Sequence, residues 1–349
     1  MLRRSFLHVV RKMAPELSVV ILSYNQFDQT TGPCLASLSK IDTLDFEMIV
    51  VDNGSDDNTL HHLNVAAAKD SRVRLVLNKE NRGYAGGNND GVAQAAAEII
   101  VLLNSDTMVL AQSLSLLVSQ LRTMSGPTVV GPVTNAAGNE QQIFFKPGNE
   151  QSVLDQGALW SSNAGGSIFS TDQLSFFCVA MLKKTYLDLG GLDESFSLGF
   201  YEDADFCYRA TCAGVDLQVM EESFVYHAGS ASFSTMPEMT KKLLKQNGKR
   251  FRQKNGKVKL EHVRYKNLLV MRGYVDKPDI EGDNHSFAYR FYNRLSRAHE
   301  LIPNSPLKKI LYMQNLKKIV RLAEKQSGLK SGLLASGGQL GDAGNPNNV

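Results

Sequence analysis

Four carboxylates and one imidazole stand out in the sequence as side chains that could do chemistry together. They are Asp52, Asp106, Glu202, Asp203 and His227. Carboxylates with one imidazole suit a hard or borderline divalent ion, and such ions also bind phosphate oxygens. We therefore expect a divalent metal cofactor, Mg²⁺ or Mn²⁺, and a ligand that contains a diphosphate.

The first hundred residues contain short apolar runs that alternate with helical patterns. The expected elements are strands over residues 17–23, 46–51, 73–77 and 99–103 and helical segments over residues 34–38 and 91–98. The runs are rich in β-branched residues and too short for typical helices, which favours buried strands. Strands that alternate with helices predict βαβ units, so we expect an α/β fold with a mostly parallel central sheet flanked by helices.

A polar cluster follows each of the four expected strands. The clusters are Tyr24-Asn25, residues 52–57, residues 78–89 and Asn104-Ser105-Asp106. Ligands of open α/β sheets bind beyond the carboxyl ends of the strands. Four such loops at one sheet edge indicate a single binding site.

The pattern loosens after residue 110 into a stretch rich in Gly, Asn and Ser that reaches about residue 166. The elements expected beyond it are a strand over 175–182, a turn over 190–194, a helix over 200–210 and a short strand over 223–226. Glu202 and Asp203 fall in the first turn of that helix, where acids are also common because they interact favourably with the helix dipole. The last strand leads directly into His227.

Charge is divided unevenly along the chain. Residues 1–239 carry 15 Lys and Arg against 27 Asp and Glu, whereas residues 240–330 carry 23 against 7. This asymmetry indicates an acidic body and a basic appendage that faces an anionic partner, either nucleic acid or a phospholipid surface. We divide the chain into an N-terminal extension (1–15), the body (16–239), a basic helical C-terminal region (240–330) and a tail expected to be disordered (331–349).

Residues 304–326 of the basic region predict an amphipathic helix. Its apolar stripe consists of Leu307, Ile310, Leu311, Ile319, Val320 and Ala323, with lysines and Arg321 around it. Such a helix can lie on an anionic membrane surface. The alternative is a solvated helix that packs on the body.

Composition excludes several classes of protein. No run of about 18 apolar residues occurs, and residues 6–10 are too short for the core of a signal peptide, so we expect neither an integral membrane nor a secreted protein. The four cysteines include no C-x-x-C pair and suit buried thiols in a reducing, intracellular compartment. No glycine fingerprint opens the first βα turn, which excludes a nicotinamide dehydrogenase.

Seven motifs, in this order, resemble those of family 2 inverting glycosyltransferases of the GT-A fold, and most of all the bacterial rhamnosyltransferase branch. They are Ser18–Asn25, Val50–Asp56, Asn81–Gly91, Leu102–Thr107, Gly190–Asp193, Tyr201–Asp205 and Tyr226–Ser230. The resemblance covers about residues 16–235. It implies transfer of a sugar, with rhamnose favoured, from a dTDP- or UDP-linked donor to a hydroxyl of a glycan or polyprenyl-linked acceptor, with inversion at the anomeric carbon.

The resemblance also implies roles for individual residues. Asp203 would be the catalytic base and Glu202 its support. The implied donor-binding residues are Ser23, Tyr24, Asn25, Asp52, Asn53, Arg82, Gly83, Gly87, Asn89, Asn104, Ser105 and Asp106. Asp106 and His227 would hold the metal, although Asn104 stands where the D-x-D pattern of the family has a second acid. Asp193 and Asp205 would contact the acceptor, with a turn and a helix contact as their alternative roles.

The expected setting is the synthesis of a bacterial surface polysaccharide. The enzyme would be cytoplasmic and peripheral on the inner face of the cytoplasmic membrane, where its basic region would contact the anionic leaflet. The alternative is a non-catalytic glycan- or nucleotide-sugar-binding protein that keeps the GT-A fold. We do not expect a nucleic-acid partner, because the chain has an acidic body and no recognisable nucleic-acid-binding module.

Overall fold

The structure is a computed structural model that describes residues 14–229, 237–256, 258, 261–276 and 284–327. Its strands are β1 (Leu17–Ser23), β2 (Phe46–Asp52), β3 (Val73–Leu77), β4 (Ile99–Asn104), β5 (Thr107–Val109), β6 (Thr128–Val133), β7 (Ile168–Ser170), β8 (Cys178–Leu182) and β9 (Asp216–His227). They form one sheet with the order β3-β2-β1-β4-β8-β6-β9-β5, and β7 pairs with β9.

The first four strands form the parallel half of the sheet. β1 pairs with β2 and β4, and β2 pairs with β3, all in parallel. Nearly every residue of β1 and β2 is buried, as expected for strands that are covered on both faces. The register places Ser23 beside Asp52 and Leu22 beside Asn104, so the polar clusters begin at the same sheet edge.

The other strands make the sheet mixed. β8 is antiparallel to both β4 and β6, and β9 is parallel to β6 but antiparallel to β5 and β7. The α/β class is confirmed, whereas the expected mostly parallel pairing holds for one half of the sheet only. The reason is that the chain returns beside β4 after a long excursion, and not through a single crossover helix.

The helices are α1 (Thr31–Ser39), α2 (Thr59–Lys69), α3 (Gly83–Gln94), α4 (Ser113–Thr123), α5 (Glu150–Ala164), α6 (Lys183–Asp188), α7 (Glu202–Cys212), α8 (Pro237–Asn255), α9 (Val263–Asp276), α10 (Asn284–Glu300) and α11 (Pro306–Ser327). Two apolar cores lie on opposite faces of the sheet, because successive strand residues point to opposite sides. One core joins Val19 and Ile21 to α1, α2 and α4. The other joins Val20 to α3, α5 and α7.

Helix α3 starts earlier than expected. The helix predicted over 91–98 begins at Gly83 and ends at Gln94, so the glycine-rich segment is helical and not a loop. A Cβ atom at Gly87 would lie 2.2 Å from Leu22 Cδ1, which shows that glycine lets α3 approach β1 closely. The helix stops because the next backbone N–H groups bind elsewhere: Ala96 donates to Glu47 and Ala97 to Ser18.

The stretch expected to be loose between residues 110 and 166 contains α4, β6 and α5. Leu114, Leu117 and Leu121 of α4 are buried, and this helical spacing was a signal that the polar surroundings obscured. In α5 the fully buried Trp160 donates its indole N–H to the carbonyl oxygen of Glu221 at 2.7 Å. The expected helices over 200–210 and 304–326 are present as α7 and α11.

The C-terminal helices α9, α10 and α11 share a third apolar core and pack on the body. Fully buried Arg294 forms an ion pair with fully buried Glu221 at 2.7 Å, and it donates to the carbonyl oxygen of Glu140 at 2.6 Å. Ser167 and Tyr274 also donate to Glu221. Part of the basic charge of this region is therefore directed into the acidic body.

Only some of the expected domain limits lie within the described residues. The limit between residues 239 and 240 falls inside α8, which continues from the body side into the basic region. Residues 1–13 of the extension, Ser230 of the last motif and the whole tail lie outside the described residues. Among the residues that are described, no helix has the length and apolarity needed to cross a bilayer.

Candidate functional site

A cavity of about 1070 Å³ opens at the carboxyl edge of the parallel strands. Nine residues implied by the sequence line it: Tyr24, Asn53, Gly83, Asn104, Ser105, Asp106, Glu202, Asp203 and His227. The expected catalytic pair and the expected metal pair therefore face one space. The cavity is large enough for a nucleotide sugar and part of a second substrate.

The expected metal pair is brought together by the pairing of β5 with the end of β9, which sets Thr107 opposite His227. His227 Nε2 lies 3.4 Å from Asp106 Oδ1. The other ring nitrogen, Nδ1, is 2.8 Å from the carbonyl oxygen of Ala136, and the ring stacks on Phe177. Because Nδ1 donates to that carbonyl in the neutral ring, Nε2 is the nitrogen that carries the lone pair.

These residues fit a divalent ion. His227 Nε2 and Asn104 Oδ1 are buried without a hydrogen-bond partner, and an unpartnered imidazole nitrogen beside a carboxylate is a suitable donor set. Within the described ranges no three His, Cys, Asp or Glu side chains converge. Asp106 and His227 would hold such an ion, and a diphosphate and water would supply further ligands, as is usual for Mg²⁺.

The charge on His227 depends on its neighbour. Burial by itself lowers the pKa of His227, but the contact with Asp106 and its negative charge outweigh burial, so that the pKa lies above its ordinary value. A metal ion binds the neutral imidazole. The affinity of the site for the ion should therefore fall as the pH drops through the raised pKa of His227.

Two adjacent carboxyl groups open helix α7. Glu202 is buried and its Oε2 has no hydrogen-bond partner, whereas Asp203 is partly exposed to the cavity and accepts the N–H of Ala204 at 2.7 Å. Burial raises the pKa of Glu202, and the charge of Asp203 raises it further. Burial also raises the pKa of Asp203. Because Asp203 borders the cavity whereas Glu202 is buried, we expect the proton of this pair to reside on Glu202 near neutral pH.

This protonation makes the stability of the protein depend on pH. Folding raises the pKa of Glu202. The contribution of Glu202 to stability is therefore fully present below its pKa in the unfolded protein and is lost as the pH rises through its pKa in the folded protein. We expect Glu202→Gln to melt a few degrees above the wild type at about pH 9, and this gain to vanish at about pH 4. Thermal melts across this range, with the exposed Glu98→Gln as control, measure the effect. If the melting temperatures of Glu202→Gln and the wild type differed by the same amount at every pH, the expected effect of Glu202 would be contradicted.

Several residues that were expected to bind the donor bind other parts of the chain. Ser23 contacts Thr31 at 2.7 Å, and Asn25 donates to Asp56 at 2.7 Å. Asp52 is buried and accepts from Ser55 Oγ at 2.5 Å, and it does not line the cavity. These contacts tie together the loops after β1 and β2.

Asn53 reaches both the cavity and the loop after β3. Its Nδ2 donates to Asn81 at 3.0 Å, and its Oδ1 accepts from Asn78 and from the N–H of Arg82. The backbone at Gly83 has a φ of 72°, and a Cβ atom there would lie 2.1 Å from the carbonyl oxygen of Ser197. Gly83 therefore permits a close contact between two segments of the cavity wall.

Arg82 and Asn89 lie outside the cavity wall. The guanidinium of Arg82 pairs with Asp90 and, at 2.8 Å, with Glu194. Asn89 donates to the carbonyl oxygen of Leu192 at 3.0 Å and accepts from Tyr186 at 2.6 Å. Together with Gly87, these residues connect α3 to its neighbours and do not reach the expected metal pair.

The two expected acceptor residues are also engaged elsewhere. Asp193 binds Lys254 at 2.6 Å and caps the turn at Ser195, and, although burial raises its pKa, these partners lower it to about 2. Asp205 is fully buried and binds Arg209 at 2.8 Å and Lys254 at 2.9 Å. In the structure Asp193 is thus a turn residue and Asp205 makes a helix contact, which correspond to their alternative roles.

The cavity also has walls that no motif pointed to. Ala136 and Phe177 fix His227, while Met239 and Leu244 of α8 line the opening. A backbone carbonyl carries no sequence signal, and the apolar residues of α8 look like those of any amphipathic helix. Only the fold brings them to the site.

Comparison with known proteins identifies a matching family and several relatives. Residues 18–184 match the family described as Glycosyl transferase family 2. The Escherichia coli protein named UDP-Glc:alpha-D-GlcNAc-diphosphoundecaprenol beta-1,3-glucosyltransferase WfgD is 30% identical over 105 residues, which cover 30% of this chain and 40% of that protein. The Campylobacter jejuni protein named GalNAc(5)-diNAcBac-PP-undecaprenol beta-1,3-glucosyltransferase is 25% identical over 184 residues, with 52% and 56% covered.

The chain spans about half the length of these curated relatives. A solved structure of the mannosyltransferase PcManGT from Pyrobaculum calidifontis, in complex with GDP-Man and Mn²⁺, is 15% identical with a TM-score of 0.47 and covers 90% of this chain and 88% of that one. Residues 18–184 of this chain, just under half of its length, match a glycosyl transferase family 2 domain.

Proposed function

We propose that the protein is an inverting glycosyltransferase that moves a sugar from a nucleoside diphosphate donor to a hydroxyl group. One observation carries the proposal: the carboxyl pair of Glu202 and Asp203 faces the same cavity as the pair of Asp106 and His227. A base and a candidate diphosphate site in one cavity are what such a displacement requires.

In the proposed reaction Asp203 takes the proton of the acceptor hydroxyl while that oxygen attacks the anomeric carbon. The nucleoside diphosphate leaves from the opposite face, which inverts the configuration. Glu202 keeps its proton and so lets Asp203 remain the only charged member of the pair. A divalent ion held by Asp106 and His227 would supply positive charge against the charge that grows on the departing diphosphate.

The family resemblance supports a dTDP- or UDP-linked donor, with rhamnose favoured. Tyr24 and Asn53 lie in the cavity wall, where they can contact the nucleoside. The name of WfgD says that it acts on a diphosphoundecaprenol acceptor, which supports a lipid-linked acceptor here. We infer a place in the synthesis of a bacterial surface polysaccharide.

A donor screen tests this proposal. Purified protein would be mixed with dTDP-rhamnose, UDP-glucose, UDP-galactose, UDP-N-acetylglucosamine or GDP-mannose, with and without Mg²⁺ or Mn²⁺, and both the melting temperature and the release of nucleoside diphosphate would be recorded. We expect one donor to stabilise the protein and to be hydrolysed slowly, in each case only with metal. Stabilisation without any turnover would favour the non-catalytic binding protein, and no stabilisation by any donor would overturn both readings.

We further propose that α11 attaches the protein to the inner face of the cytoplasmic membrane. The side chains of Leu307, Ile310 and Leu311 are exposed by 76%, 54% and 61%. Lys308 and Lys309 stand between them, and the opposite side of the helix packs in the third core. Exposed apolar side chains among lysines are typical of helices that lie in an anionic interface.

Replacing all three of Leu307, Ile310 and Leu311 with serine should weaken binding to vesicles that contain phosphatidylglycerol by about tenfold or more, because their burial in the interface is lost. Sedimentation with vesicles measures it. The control replaces two exposed leucines of other helices, Leu187→Ser and Leu269→Ser. Equal binding by the triple variant and the wild type would contradict the attachment by α11.

A further inference from the structure

The backbone that leads into α7 has an unusual conformation. Its φ angles are 54° at Ser197, 152° at Gly199, 72° at Phe200 and 75° at Tyr201. Residues other than glycine rarely adopt positive φ, and a run of them persists only where the surrounding structure holds it. We call residues 196–201 the catalytic turn, because it ends beside Glu202 and Asp203.

The α3 side of the catalytic turn leaves little space. The carbonyl oxygen of Ser197 sits where a Cβ atom of Gly83 would be, and the N–H of Tyr84 donates to the carbonyl oxygen of Leu198 at 3.4 Å. This last hydrogen bond is long. Contact with α3 therefore limits where the turn can lie but does little to fix its carbonyl groups.

The opposite side of the turn is held by one side chain of α8. The side chain of Asn247 is buried, and its Nδ2 lies 2.7 Å from the carbonyl oxygens of both Phe196 and Gly199 and 3.2 Å from that of Phe200. One amide thus binds carbonyl groups at both ends of the bend. Without it, buried carbonyl groups would lose their partner, which favours a different backbone path.

Helix α8 is itself fixed to the body beyond Asn247. Lys254 binds Asp193 and Asp205, and Asn255 donates to Asp205 at 2.9 Å. The ring of Phe251 packs against that of Tyr201, with centroids 5.7 Å apart. Asn247 therefore reaches the turn from a helix that has its own anchors.

We propose that Asn247 is a positioning residue for sugar transfer, and that its hydrogen bonds to the catalytic turn set where Glu202 and Asp203 stand in the cavity. Asn247 does not line the cavity and binds the turn rather than the carboxyl pair, and it lies outside residues 18–184 and outside the seven motifs. The inference rests on the proposed function, because it assumes that Asp203 is the base. It gives the C-terminal region a task in catalysis besides membrane attachment.

Three variants of Asn247 test the proposal. Asn247→Asp keeps the shape but points an acceptor at the carbonyl groups, Asn247→Ala removes the contacts, and Asn247→Ser keeps one donor. The matched control is Gln246→Ala, which removes an exposed amide of the same helix, directly before Asn247. Hydrogen exchange of a peptide over residues 196–203 reports on the turn, and hydrolysis of the donor identified by the screen reports on turnover.

In Asn247→Asp and Asn247→Ala we expect faster exchange in the turn, a kcat lower by about 10–100-fold and a donor KM within about threefold of the wild type. Asn247→Ser should recover part of kcat, and Gln246→Ala should leave all three quantities near the wild type. A kcat near the wild type in Asn247→Ala, or exchange that is unchanged in the turn, would overturn the role of Asn247 alone. A wild type that turns over no donor would instead overturn the proposed function, and the role of Asn247 with it.

Discussion

Replacing Asp203 with asparagine is expected to lower kcat for sugar transfer by about 10²–10⁴-fold, the usual range for loss of a general base. Asparagine has the same shape but cannot take the acceptor proton. Donor binding should survive, because the side chain of Asp203 acts on the acceptor hydroxyl. Thermal shift with the donor and metal measures binding, and release of nucleoside diphosphate measures turnover.

The control for this variant is Asp188→Asn, which alters an exposed carboxylate that pairs with Lys184 on the surface. It should behave like the wild type in both measurements. If Asp203→Asn retains most of the wild-type kcat, Asp203 is not the base, and the assignment of the pair fails. Loss of donor binding together with turnover would show a role in the donor site instead.

The second large effect concerns the metal pair. Asp106→Asn removes the carboxylate that pairs with His227, so we expect the affinity for Mg²⁺ or Mn²⁺ in the presence of donor to fall by about 10–100-fold or more. Turnover should fall as well, because less charge then opposes the charge on the leaving diphosphate. Metal titrations followed by donor-dependent melting measure the affinity directly.

The exposed Asp42→Asn serves as the control for a lost carboxylate. Chelation of metal from the wild type should reproduce the effect of Asp106→Asn on turnover. A metal site at this pair would be contradicted if donor binding and turnover were the same in three samples: the wild type with metal, the wild type with chelator, and Asp106→Asn.

The local pattern of the sequence predicts the parallel half of the sheet well. β1 and β3 have the expected bounds, and β2 and β4 differ from expectation by one residue. These strands are mostly apolar and are followed by polar clusters, so that each signal is contained in a short stretch of chain. Local patterns also locate Asp106 after β4, Asp203 in the first turn of α7 and His227 at the end of β9. Long-range pairing, such as that of β5 with β9, brings them to one cavity.

Long-range contacts explain what the sequence could not predict. Arg82 looks like a free cation in a glycine-rich loop, but the fold sets Asp90 and Glu194 beside it. Asp193 and Asp205 look like free acids, but Lys254 of a distant helix binds both. Asp90 lies in α3, the helix that Arg82 precedes, but Glu194 and Lys254 lie far along the chain from the residues they bind, and no spacing rule connects them.

The anomeric configuration of the first product shows whether the enzyme inverts the donor linkage with Asp203 as its base. With the donor found in the screen, hydrolysis by the wild type can be followed by proton NMR before the free sugar mutarotates. Displacement of the diphosphate by an oxygen that Asp203 activates predicts that the anomer opposite to that of the donor linkage forms first, and that its formation is lost in Asp203→Asn. If the anomer that forms first has the same configuration as the donor linkage, an inverting displacement is contradicted.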